Sequence, residues 1–102
     1  MILEIADFSV RAGTEGEFGA ALERGIQAII SQATGYRCHE VQHCIETPER
    51  FVLMIEWDTL ENHTVDFRGS PAFARWREIV GPYFAKPPQV EHFRRLGGAR
   101  GA

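Results

Sequence analysis

Apolar residues in this chain recur every second position in some stretches and every third or fourth in others, and the changes of rhythm mark its elements. Residues 2–10 hold Ile2, Leu3, Ile5, Phe8 and Val10, with Glu4, Asp7 and Ser9 between them. That pattern predicts a strand with both faces at least partly apolar. Ala12-Gly13 breaks it, and Thr14-x-x-Glu17 has the spacing of a capping box that opens a helix. Phe18, Leu22, Ile26, Ile29, Ile30 and Ala33 then form one apolar stripe at helical spacing, and Gly35 is the expected left-handed stop. Gly19 and Gly25 weaken that helix; close packing against a neighbour would explain them, and so would simple tolerance.

Residues 36–45 and 50–57 read as two strands joined by the turn Glu46-Thr47-Pro48-Glu49. In the second of them Phe51, Leu53, Ile55 and Trp57 share one face, and Val52 and Met54 lie on the other. A strand with one wet face should alternate apolar and polar, so this pattern predicts a cover on its second face. Asp58-x-x-Glu61 caps a short predicted helix over 59–67 with Leu60, His63, Thr64 and Phe67 on one side. Ser70-Pro71 opens another helix, whose buried side is Phe73, Trp76, Ile79, Val80 and Tyr83. Gly81-Pro82 interrupts it, and a last strand is expected from Gln89 to Leu96. The order is βαββαβ: an α+β, ferredoxin-like fold with a four-stranded antiparallel sheet. One sheet face takes the helices; the other would stack on a partner's sheet, giving a dimeric α/β barrel. The domain is expected over residues 1–96, with 97–102 a mobile tail.

Length and charge narrow the function. A chain of 102 residues holds one domain. A formal charge of −3 argues against a nucleic-acid partner, which needs a concentrated basic surface. Arg94, Arg95 and Arg100 gather near the end, where solubility is the simpler explanation. No apolar run approaches the ~20 residues of a membrane helix, and the start lacks signal-peptide character, so the expected compartment is the cytoplasm. Cys38, His39, His43 and Cys44 suggest a metal cluster, but six strand residues separate the two sulfurs by roughly 20 Å. That is too far for a disulfide or for convergent zinc ligands, so free thiols are expected.

The run Phe51 to Trp57, the helix bearing His63, and Ser70-Pro71-Ala72-Phe73 at the next helix start resemble the antibiotic biosynthesis monooxygenase family. Phe8 and Val10 before Gly13, Glu17-Phe18, Gly35-Tyr36, and Pro87-Pro88 leading to His92-Phe93 fit the same pattern, so the resemblance spans about residues 2–96. It implies a homodimer that binds a small aromatic or hydrophobic molecule. In the family's best-known members it also implies oxidation of quinols, phenols or anthrones by O₂ without a bound metal or organic cofactor. Other members degrade haem or rearrange small signalling molecules. The haem branch requires a histidine on the helix of residues 71–80, where Trp76 and Arg77 stand, and an asparagine near the end of the first strand, where the nearest polar residue is Asp7.

His63 is the candidate catalytic base. An imidazole on an apolar helix side must find a partner or face a polar cavity, and its ordinary pKa suits proton transfer at neutral pH. A core histidine bonded to a backbone carbonyl would look the same in sequence. Trp57, Phe67, Phe73, Trp76 and Tyr83 are core aromatics or the walls of a pocket for a flat ligand. Tyr36 and His92 are candidate polar groups in that pocket, whereas Arg68 is expected to face solvent. A dimer that binds a small hydrophobic molecule without catalysis stays open beside the enzyme.

Overall fold

The computed structural model describes residues 1–99. Arg100 and the rest of the expected tail, residues 100–102, lie outside the described residues. The elements are β1 (Ile2–Ser9), α1 (Glu15–Ala28), β2 (Tyr36–His43), β3 (Arg50–Trp57), α2 (Pro71–Val80) and β4 (Gln89–Phe93). The sheet order is β2-β3-β1-β4, and every neighbouring pair is antiparallel. This is the ferredoxin-like arrangement expected from the order of elements.

The two-residue rhythm of the strands decides the faces. Glu4, Ala6 and Phe8 of β1 and Phe51, Leu53, Ile55 and Trp57 of β3 are buried. Phe18, Leu22, Ile26 and Ile30 pack on them, with Phe18 edge-on to Phe51 at 4.9 Å. The alternate positions Leu3, Ile5, Val52 and Met54 are only half-buried, and Phe93 of β4, opposite Leu3, is exposed. The sheet therefore has one face covered by the helices and a second face, with an apolar strip of Leu3, Ile5, Val52, Met54 and Phe93 among polar neighbours, that the described residues leave open.

Local details differ from expectation where backbone groups found nearer partners. The Thr14 hydroxyl donates to the carbonyl of Arg11, and Glu15 rather than Glu17 accepts from the N–H of Gly13, so the Thr14–Glu17 box does not form. α1 ends at Ala28, and the chain tightens into a 3₁₀ turn at Ile30–Gln32 that keeps Ile29 and Ile30 buried. Asp58 does not cap the segment after β3, because it pairs with Arg37 at 2.9 Å. Thr59 and Asn62 bond to each other there instead. β4 stops at Phe93 rather than Leu96: Phe93 lies opposite Leu3, and only Ile2 of β1 lies beyond that pair.

Two glycines are set by contacts. At Gly25 a Cβ would lie 2.8 Å from the Trp76 ring, so α1 and α2 approach through it; Gly19 has open space. Gly35 has φ +85°, and a Cβ there would meet Asn62 at 2.1 Å. Its carbonyl also accepts the Asp58 N–H. Left-handed geometry and lack of a side chain thus let the β2 start dock beside the segment that carries His63.

Candidate functional site

The segment 62–67 winds as a π-helical turn, with the Arg68 N–H donating to the carbonyl of His63. Such wide turns are frequent at functional sites. The winding turns His63 and Phe67 inward while Leu60 and Val65 face out. His63 is 4% exposed and stacks on Trp57, with ring centroids 5.4 Å apart.

Below it, β1 and β4 set Glu4 and His92 directly opposite each other. His63 bridges them. Its Nδ1 lies 2.7 Å from His92 Nε2, and its Nε2 lies 3.4 Å from Glu4 Oε1. The indole N–H of Trp57, two residues along β3 from the partner of Glu4, donates to the same Oε1 at 2.9 Å. Glu4 is 5% exposed. Burial pushes its carboxyl up from 4.5 to about 7, against the lowering effects of the Trp57 hydrogen bond and the charge of Arg68. Burial pushes His63 down to about 3, with Arg68 and His92 adding to the effect. His92 is lowered for the same first reason, and by Arg68.

At neutral pH this is a poised carboxyl beside a neutral imidazole. His63 Nδ1 and His92 Nε2 share one hydrogen bond, whose direction follows the tautomer, while His63 Nε2 stands 3.4 Å from Glu4 Oε1, longer than an ordinary hydrogen bond. Among the described residues Glu4 Oε2 has no hydrogen-bond partner, and no buried unpaired side-chain oxygen exists, so Oε2 is open to the space in front of it.

That space is a cavity of about 1070 Å³ between the sheet, the π-helical turn, α2 and the loop that follows. Glu4, Trp57 and His63 line its floor; Phe67, Phe73, Trp76 and Phe84 are aromatic walls. Its outer part carries Arg68, Arg77, Glu78 and Lys86. Large apolar cavities with a few converging polar groups are the usual form of a small-molecule site.

Of the candidates from sequence, His63, Trp57, Phe67, Phe73 and Trp76 line this cavity. His92 stands behind His63 as its hydrogen-bond partner. Tyr36 is not on the wall; a bulge before Cys38 sets it opposite Trp57, and its hydroxyl bonds His39 Nδ1 at 2.7 Å. Tyr83 is also off the wall, edge-on to Phe18. Arg68, expected to face solvent, is exposed but stands at the cavity. The Cys38-to-Cys44 group does not converge: Cys38 donates to Glu56, His43 contacts the Pro48 carbonyl, and Cys44 accepts from the Thr47 N–H. Glu4 was missed, although it shares the strand face of Ala6, Phe8 and Val10. A carboxylate in register with three buried apolar residues is the signal that could have found it.

The profile of the family described as antibiotic biosynthesis monooxygenase matches residues 1–79. The chain belongs to the antibiotic biosynthesis monooxygenase family. A candidate family member from Bordetella bronchiseptica, known by crystal structure, is 39% identical. That likeness covers 93% of this chain and 96% of the other, with a TM-score of 0.87. YczJ, an uncharacterised protein of Bacillus subtilis (strain 168), is 37% identical over 92% of this chain and 98% of its own length. The monooxygenase of the Streptomyces coelicolor gene ActVA-Orf6, solved in complex with Nanaomycin D, shares the fold with a TM-score of 0.84 over 99% of this chain and 92% of that one, at 18% identity. In this member of the antibiotic biosynthesis monooxygenase family the histidine at the cavity wall is hydrogen-bonded to His92 and lies 3.4 Å from Glu4, and α2 presents Trp76 and Arg77 to the same cavity.

Proposed function

We propose that this protein is a cofactor-independent monooxygenase that uses O₂ to oxidise a small quinol, phenol or anthrone-like substrate. The observation that carries the reading is the Glu4–His63–His92 chain at the floor of an aromatic cavity. Family membership supports the reaction class. His63 was expected to act as the base by itself, but an imidazole pushed to about 3 is a weak proton acceptor. Glu4, held near 7, is better matched to that task, and His63 connects it to His92.

For an anthrone-like carbon, the Glu4 carboxylate takes one C–H proton. The carbanion passes one electron to O₂, and the two radicals join as a peroxide. Loss of water, carrying the second hydrogen of that carbon and the proton returned by the Glu4–His63 pair, leaves a ketone. One oxygen atom stays on the product and the other leaves as water. The aromatic walls hold the ring and exclude solvent, and the Arg68 charge favours the anion.

The same reading includes a homodimer packed through the open sheet face, since Leu3, Ile5, Val52, Met54 and Phe93 there stay half-buried or exposed among the described residues. The test of chemistry is O₂ consumption with a panel of quinols, phenols and anthrones, without added flavin, haem or metal. His63→Asn, which keeps a smaller polar group, should lower turnover by about 10²-fold or more. Unchanged turnover in folded His63→Asn would remove His63 from the mechanism. Binding across the panel with no O₂ uptake would favour a non-catalytic binding protein.

A further inference from the structure

The outer part of the cavity carries more positive charge than the rest of the molecule would suggest. The chain has a formal charge of −3, yet Arg68, Arg77 and Lys86 all line this one space, and among the described residues Glu78 is the one carboxylate in its outer part. All three cations are exposed, and among the described residues none forms an ion pair. Elsewhere Arg37 and Arg50 are paired, with Asp58 and Asp7. The three come from different elements: the end of the π-helical turn, the outer side of α2, and the loop before β4. The fold, and not a run in sequence, brings all three to the lining of one cavity.

The floor offers a different environment. It is apolar and aromatic, and its one acid, Glu4, is buried and bonded to Trp57. A ligand that suits both ends has a flat apolar body and an acidic group at its outer edge. We infer that the substrate is an aromatic carboxylate, whose ring enters between Trp57, Phe73 and Trp76 and whose carboxylate meets Arg68, Arg77 and Lys86. The inference rests on the cavity being the substrate site and adds the charge of the substrate. The field of Arg68 already reaches the floor, where it lowers the pKa of Glu4, His63 and His92. A bound carboxylate would offset that field and leave the Glu4 carboxyl more ready to hold a proton.

The two tryptophans of the chain, Trp57 and Trp76, both line the cavity, so quenching of intrinsic fluorescence reports binding without any turnover. The probes are anthraquinone-2-carboxylate and its neutral analogue 2-(hydroxymethyl)anthraquinone. At low salt the carboxylate should bind at least about tenfold more tightly, equivalent to about 1.4 kcal/mol. Salt at roughly 1 M, where the Debye length is about 3 Å, should erase most of that ratio. The variant R68Q/R77Q/K86Q should bring the ratio near one, and each single change should reduce it by a few-fold. These side chains are exposed, and matched circular dichroism melts check that the variants fold. Equal affinity for the two probes in the wild-type protein, or a preference that survives the triple change, would overturn the inference while leaving the cavity as the aromatic site. If neither probe quenches, the aromatic-site reading fails, and the carboxylate inference fails with it.

Discussion

Replacing Glu4 by glutamine should stabilise the protein at high pH while removing activity. The carboxyl is pushed from 4.5 to about 7 chiefly by burial. The unfolded chain therefore loses this proton near pH 4.5, while the folded chain holds it until about pH 7. Between those limits the folded state binds more protons, so stability falls as pH rises. The difference of roughly 2.5, at about 1.36 kcal/mol each, gives a loss of ~3 kcal/mol, complete above about pH 7. Glutamine keeps an oxygen for the Trp57 indole N–H and never ionises. Glu4→Gln should thus match wild type near pH 4 and exceed it by ~3 kcal/mol near pH 8. His63 works in the other direction. Its pKa is lowered to about 3, so its contribution is lost as pH falls from 6.5 toward 3. Because His63 is present in both proteins, the comparison largely removes its effect. Urea unfolding at a series of pH values, at one fixed protein concentration, measures the difference. A difference constant to within about 0.5 kcal/mol from pH 4 to pH 8 would refute the argument, since Glu4 would then ionise as it does in the unfolded chain. Turnover of any responsive substrate by Glu4→Gln should fall by about 10²-fold or more, because the amide cannot accept the proton.

The structure makes two further predictions. Gly25→Ala puts a methyl group 2.8 Å from the Trp76 ring, so it should cost about 1–3 kcal/mol in chemical denaturation, whereas Gly19→Ala, with open space around it, should be neutral or stabilising. The wild-type protein should sediment at equilibrium as a dimer of its 11.5 kDa chain, burying more than about 2,000 Å² in total, and Met54→Asp should shift it toward monomer; a wild-type monomer at micromolar concentration would refute the sheet-to-sheet packing.

The fold was legible because its signals are periodic and long. The stripe from Phe18 to Ile30 and the alternation from Phe51 to Trp57 each commit several side chains to one face, and no local exchange of hydrogen bonds undoes that. The element ends were less legible because they depend on single donors and acceptors. Thr14 had the right spacing for a capping box, but its hydroxyl is turned to donate to the Arg11 carbonyl, and no side-chain cap bond to the helix forms. Asp58 had the right spacing to cap the following turn, but Arg37 on the adjacent strand claimed its carboxylate. Both competitors were in plain view in the sequence, yet only the folded path brings them close. The π winding at 62–67 has the same character: i, i+4 spacing of His63 and Phe67 predicts a helix, and nothing in that spacing reveals the wider turn.

The site was half legible, and the two halves follow from how its residues are placed. His63, Phe67, Phe73 and Trp76 sit on helices, where three- and four-residue spacing already states which side faces the sheet. Glu4 and His92 sit 88 positions apart and become neighbours only because β4 returns beside β1. Their pairing is a fact of topology. Once the sheet order sets β4 next to β1, two polar residues on the buried faces of those strands share one small area. A buried acid costs several kcal/mol unless something at hand offsets it, so the presence of Glu4 in register with Ala6, Phe8 and Val10 was itself a demand for a partner. Trp57, at the end of β3, and His63, on the segment that immediately follows, are the groups the chain supplies. Tyr36 shows the opposite case. It also starts a strand on the helix side, but its hydroxyl is already engaged by His39 three residues on, and it makes no demand on the cavity. In this fold a polar residue on the covered sheet face points to the site when its sequence neighbours cannot satisfy it, and to local structure when they can.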